Sequence, residues 1–167
     1  MWHAFTPYAA RADTAALIVC SAYCLLAIVS VLLIKVDLEQ FRLPNAIVLP
    51  SVAAFGLLLA VAAVTGGERD SLARSLTAGV VLTVFYGLLW WLQPGGIGAG
   101  DVKLAPLIGL ALGWVGWQAV LIGTVASSVI GGVIGLTLLR PGEARNPDKL
   151  PFGPPMIAGA WVAILVA

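Results

Sequence analysis

From Thr14 to Ile34 the chain runs without a charged side chain, and comparable apolar runs return at Ala46 to Thr65, Leu72 to Leu92, Val102 to about Trp114, Trp117 to Leu139 and Phe152 to Ala167. About 20 apolar residues wound as a helix cross the roughly 30 Å hydrocarbon layer of a bilayer. No water reaches the backbone there, so each run must close its own hydrogen bonds as a helix. The expected fold is therefore all-α: a polytopic bundle of about six transmembrane helices, with residues 1–167 forming one membrane-embedded domain. The fourth run is short and the sixth opens on Pro154 and Pro155, so both draw on flanking polar residues for their length.

Composition agrees with a lipid environment. Hydrophobic residues make up 60% of the chain and charged ones 10%, with a mean hydropathy of +1.02. That is too little polar surface to cover a water-soluble globule. A net charge of +1 leaves no electrostatic footprint for nucleic acid. The first run exceeds the apolar core of a signal peptide, and no cleavage site follows it. Cys20 and Cys24 sit four apart in that run and read as packing residues on one helix face; with no CxxC pair and His3 alone, neither a zinc nor a redox site is expected, and no cofactor is called for.

Basic residues orient such a bundle. Lys35, Arg42, Lys103, Arg140, Arg145 and Lys149 fall in the odd-numbered loops, against Arg11, Arg69 and Arg74 on the other side. Odd loops are thus expected in the cytoplasm. Gly123, Ser127, Gly131 and Gly135 form a stripe of small residues along the fifth run, and Gly109 and Gly113 repeat the spacing in the fourth. Both are expected to let helices approach closely. Trp114 and Trp117 suit an interfacial belt, whereas Trp90 and Trp91 fit it less well, lying toward the inner end of the third run.

Two acids occupy unusual places. Asp37 follows the first run directly, and Asp101 closes Gly95-Gly96-Ile97-Gly98-Ala99-Gly100-Asp101 before the fourth. Two crossings separate them, so both carboxylates meet the same leaflet whichever way the chain is inserted. Singly, each has a plain role: Asp101 as a helix cap, and Asp37 as an interfacial acid beside Lys35 or Arg42. Together they suggest more. Two carboxylates brought close cannot both ionise easily, so one keeps a proton and the pair titrates as a unit. One member can then take a proton from an attacking water while the other donates to the peptide carbonyl, with no metal required.

At these residues the sequence resembles the type IV prepilin peptidases, a branch of the GxGD membrane aspartic proteases. Asp37 followed by Leu43-Pro44-Asn45, then Gly98-Ala99-Gly100-Asp101-Val102-Lys103-Leu104, and finally Leu150-Pro151-Phe152-Gly153-Pro154 carry the likeness. It implies an endopeptidase with Asp37 and Asp101 as catalytic pair, supported by Gly98, Gly100, Lys103, Pro44 and Asn45. It also implies prepilin-like membrane proteins as substrates, cut behind a basic leader at the cytoplasmic face of the cell membrane. The family's longer bacterial members carry two CxxC pairs in an N-terminal region and also methylate the product. Cys20 and Cys24 do not reproduce them, so the chain resembles a peptidase-only form. Glu39 occupies the place of a secondary acid that would engage the basic leader. Lys103 would either anchor its helix at phosphate headgroups or act on Asp101.

Two other readings stay open on the residues alone. In one the aspartates form the ion or proton path of a small transporter, although both sit at one membrane edge rather than near the midplane. In the other they merely cap helices in a non-catalytic assembly protein.

Overall fold

The computed structural model describes residues 6–40, 43–92, 98–138 and 152–167, and all secondary structure among them is helical. Six helices follow in order: α1 (Thr6–Gln40), α2 (Asn45–Gly66), α3 (Arg69–Leu92), α4 (Ala99–Val115), α5 (Trp117–Leu138) and α6 (Gly153–Val166). Among the described residues, α1, α2, α3 and α5 hold stretches long and apolar enough to cross a membrane. The protein is an all-α, multi-pass membrane protein. His3, Arg42, Gly95, Gly96, Arg140, Arg145, Lys149, Leu150 and Pro151 lie outside the described residues.

Helix ends fall where backbone chemistry requires. Pro44 caps α2 from an extended conformation, its carbonyl accepting from the amides of Ile47 at 3.0 Å and Val48 at 3.2 Å. Gly67 closes the same helix at a φ of 78°, a left-handed turn that a side chain would strain. Pro154 and Pro155 stand in the first turn of α6, where an amide hydrogen would have no helical partner.

The helices pack in chain-adjacent pairs, α1 with α2, α3 with α4 and α5 with α6, and α4 is central, touching α2, α3, α5 and α6. It is apolar all round because it is enclosed all round: Leu104, Ala105 and every residue from Leu107 to Gly113 are buried. Its last carbonyls are collected by side chains from neighbours. Tyr23 of α1 donates to Ala111 at 2.7 Å, Ser75 of α3 donates to Leu110, and Arg74 donates to Gly113 at 2.8 Å and Trp114 at 2.9 Å. A guanidinium at this end also suits the negative pole of the helix.

The small-residue stripes act as expected. A β-carbon at Gly113 would stand 2.6 Å from Ala78 Cβ, and one at Gly123 would meet Leu112 and Ala163. Ser127 and Gly131 are likewise buried against α6. The cysteines differ from expectation. Cys20 and Cys24 are exposed on the outer face of α1, because the buried face of that helix runs instead through Ala22, Leu26, Val29 and Leu33. The first helix also overshoots its expected bounds at both ends, so Asp37 lies inside a helix rather than after one.

Candidate active site

Burial singles out two acids. Among the described residues the buried charged side chains are Asp37, 5% exposed, and Asp101, 4% exposed; the remaining buried polar residues are serines. An ionisable group removed from water in an apolar bundle is costly unless its surroundings use it. The fold brings the two together. Asp37 lies one turn before the end of α1 and Asp101 in the first turn of α4, close enough for the charge of one to act on the other.

Each is held differently. Gly98 precedes α4 in an extended conformation and exchanges two bonds with Asp101: its amide donates to Asp101 Oδ2 at 3.0 Å, and the Asp101 amide donates to its carbonyl at 3.0 Å. Asp101 therefore does cap its own helix, and the capping bond fixes the carboxylate's direction. Asp37 draws instead on the backbone of Gly153 at the head of α6 for its carboxylate. Its Oδ2 is the one buried side-chain oxygen or nitrogen without a hydrogen-bond partner among the described residues. It points at the first residue of α6, where a β-carbon on Gly153 would stand 2.7 Å away. An unpartnered buried carboxylate oxygen is a group left free to take a proton.

Leu43 ties the parts together. It is buried, lies 3.7 Å from the β-position of Gly153, and lies 3.2 Å from that of Gly100. Glycine at 100 thus lets the connection after α1 sit directly on the head of α4. Pro44 starts α2 beside it, and Asn45 Oδ1 accepts from Lys103 Nζ at 2.8 Å. Lys103 is thus turned to the head of α2 rather than to Asp101, so its second expected role gives way to a clasp between the two heads. Glu39 is exposed on the face of α1 that also carries Lys35, away from the buried face of Asp37. Trp90 and Trp91 are exposed at the end of α3 that lies on this side, Trp91 to 71%.

The sequence matches the type IV leader peptidase family over residues 24–136, which include both aspartates. The chain belongs to that family. Curated relatives in this peptidase family named prepilin leader peptidase/N-methyltransferase include one from Stutzerimonas stutzeri, 33% identical over 132 residues, covering 78% of this chain and 44% of the relative. Another, from Aeromonas salmonicida strain A449, is 34% identical over 142 residues, covering 84% and 47%. A third, from Pseudomonas aeruginosa, is 30% identical over 135 residues, covering 78% and 44%. The chain thus spans less than half the length of these leader peptidase relatives. No solved structure matches it significantly.

Tyr86 was not legible as a neighbour of the site. It is buried in α3 and its charge environment includes Asp101. A lone tyrosine in an apolar run gives one usable signal, a hydroxyl that must find a partner.

Gly153 offers a direct check on this geometry. Gly153→Ala would drive a methyl group into Asp37 Oδ2 and displace the carboxylate. Misplacing a reacting group by about 1 Å costs on the order of a hundredfold. If Asp37 is a reacting group, peptidase activity of this variant should fall by about that factor while the thermal melting point of the purified protein stays within a few degrees of wild type. An unchanged rate would show that the Asp37 carboxylate is not needed in this position.

Proposed function

We propose that the protein is an intramembrane aspartic endopeptidase that removes the basic leader from type IV prepilin-like proteins at the cytoplasmic face of the membrane. The observation that carries this reading is the pair of buried aspartates on α1 and α4, within the span shared with the leader peptidase family. Family membership supports a prepilin-type substrate, since the matched relatives are named for that activity.

The chemistry needs one proton shared between two carboxyls. The ionised member takes a proton from a water molecule as its oxygen bonds to the scissile carbonyl carbon, and the protonated partner gives its proton to the carbonyl oxygen. A tetrahedral intermediate results. Its collapse re-forms the carbonyl, returning a hydroxyl proton to the second carboxyl, and breaks the C–N bond, the leaving nitrogen taking the proton that the first carboxyl had gained. The free Oδ2 of Asp37 fits the base, and the anchored Asp101 fits the acid. A substrate helix lying in the membrane would bring the leader junction to this depth. Lys35 and Lys103, near this end, support its cytoplasmic placement.

The test is cleavage in a defined system. The purified protein is placed in liposomes with a prepilin-type substrate carrying a basic leader, and the product is followed by gel shift and N-terminal sequencing. Leader removal is expected, with a bell-shaped dependence of kcat/KM on pH because both doubly ionised and doubly protonated pairs are inactive. A substrate left whole at every pH, with a folded protein, would sink the proposal. Proton or cation flux through the same liposomes would then favour an ion path.

A further inference from the structure

Leu43 stands between α1 and α2, directly before Pro44. The residue before a proline is driven out of the helical region into an extended one, so the chain cannot run on as helix at this point. The backbone behind Leu43 is fixed twice: Pro44 caps α2, and Asn45 Oδ1 accepts from Lys103 Nζ of α4 at 2.8 Å. Held this way, Leu43 turns into the bundle and is only 6% exposed.

Its side chain fills space that two glycines leave open. The β-position of Gly100 lies 3.2 Å from Leu43 Cβ, 3.4 Å from Cγ and 3.3 Å from Cδ1, and the β-position of Gly153 lies 3.7 Å from the same Cδ1. Gly100 is the residue before Asp101, and the β-position of Gly153 is also 2.7 Å from Asp37 Oδ2. One methyl group thus stands between the head of α4, which carries Asp101, and the head of α6, against which Asp37 rests. In an interior packed this closely, loss of that methyl is felt as a cavity or as a shift of the neighbouring backbone.

We propose that Leu43 is a positioning residue for the dyad, a spacer that holds the heads of α4 and α6 at a fixed separation and so sets where the Asp101 and Asp37 carboxyls meet. It acts through Gly100 and Gly153, touching no substrate and exchanging no proton. The inference deepens the peptidase reading and rests on it.

The experiment compares wild type, Leu43→Ala, Leu43→Met and Leu59→Ala in the liposome cleavage assay, with kcat and KM separated and melting points recorded. Leu59 is the matched control, a fully buried leucine of α2 that lies about 20 Å along the helix from Asn45. Both alanine changes empty a comparable volume, so each should lower the melting point by about 8 °C. Leu43→Ala should in addition lower kcat about tenfold with KM unchanged, part of what displacing a reacting group costs. Leu59→Ala should keep wild-type kcat. Leu43→Met restores volume and reach, and its kcat should return to within about threefold of wild type. Wild-type kcat in Leu43→Ala overturns the proposal, as does an equal loss of kcat in Leu59→Ala or a Leu43→Met no better than alanine. A raised KM at unchanged kcat in Leu43→Ala also overturns it, since that would assign Leu43 to substrate contact. Should Leu43→Ala fail to fold, Leu43→Val, which lacks the Cδ1 methyl, decides alone: a lowered kcat at unchanged KM supports the proposal and an unchanged kcat overturns it. A wild type that never cuts overturns the peptidase reading and this inference with it, an outcome distinct from failure of the variants.

Discussion

Asp101→Asn and Asp37→Asn should each lower the rate of leader removal by about a thousandfold or more while leaving the purified protein folded. Asparagine matches aspartate in shape but can neither accept the water proton as a carboxylate does nor donate a carboxylic one, and that exchange contributes on the order of a hundred- to ten-thousandfold. The fold should tolerate both. At position 101 an amide oxygen can still accept from the Gly98 amide, so the start of α4 is kept. At position 37 the change removes a buried carboxyl whose Oδ2 has no partner, which relieves a cost rather than adding one. Rates from the liposome assay and melting curves followed by tryptophan fluorescence check both halves. Cleavage by either variant within tenfold of wild type would remove that residue from the dyad.

The second large effect concerns stability. A β-carbon at Gly109 would stand 2.5 Å from Gly79 Cα and 2.6 Å from the Ala78 carbonyl oxygen, backbone atoms of α3 that no side-chain rotation can move aside. Gly109→Ala must push α3 and α4 apart along their contact, and overpacking of this kind costs about 3 kcal/mol. The melting point in detergent should drop by about 8 °C. Gly132→Ala is the matched control: nothing lies within 4 Å of its β-position, so its melting point should hold or rise slightly as the helix gains from alanine. Equal melting points for the two variants would show that close approach at Gly109 contributes nothing to stability.

Much of this arrangement is legible in the chain itself, for physical reasons that also explain what is not. Helix number follows from the length a bilayer imposes, and the common side of Asp37 and Asp101 follows from parity, since two crossings return a chain to its starting surface. The spacing of Gly109 and Gly113 announces a close helix contact because only small residues at that interval permit one. Contacts that depend on how distant helices lean are different. Nothing local says that Gly153 abuts Asp37, or that Lys103 reaches Asn45 rather than its neighbour Asp101. Cys20 and Cys24 mislead for a related reason: in a membrane, apolar residues on the lipid face and in the core look alike, so hydrophobicity does not say which way a helix is turned.

The lengths of the helices have a bearing on hydration. At about 1.5 Å per residue, the 17 residues of α4 rise about 25 Å and the 14 of α6 about 21 Å, both short of the roughly 30 Å of hydrocarbon that the 22 to 35 residues of the surrounding helices can span. At the aspartate end, α1 continues past the level at which α6 begins, since Gly153 meets Asp37 and α1 runs on to Gln40. Among the described residues, α6 thus begins about one turn below the end of α1 on this side. Hydrolysis consumes a water molecule for every bond broken, and lipid supplies none. In the peptidase reading, short helices at this place would bring the bulk phase closer to the carboxyls than full-length ones would, and with it the second substrate of hydrolysis.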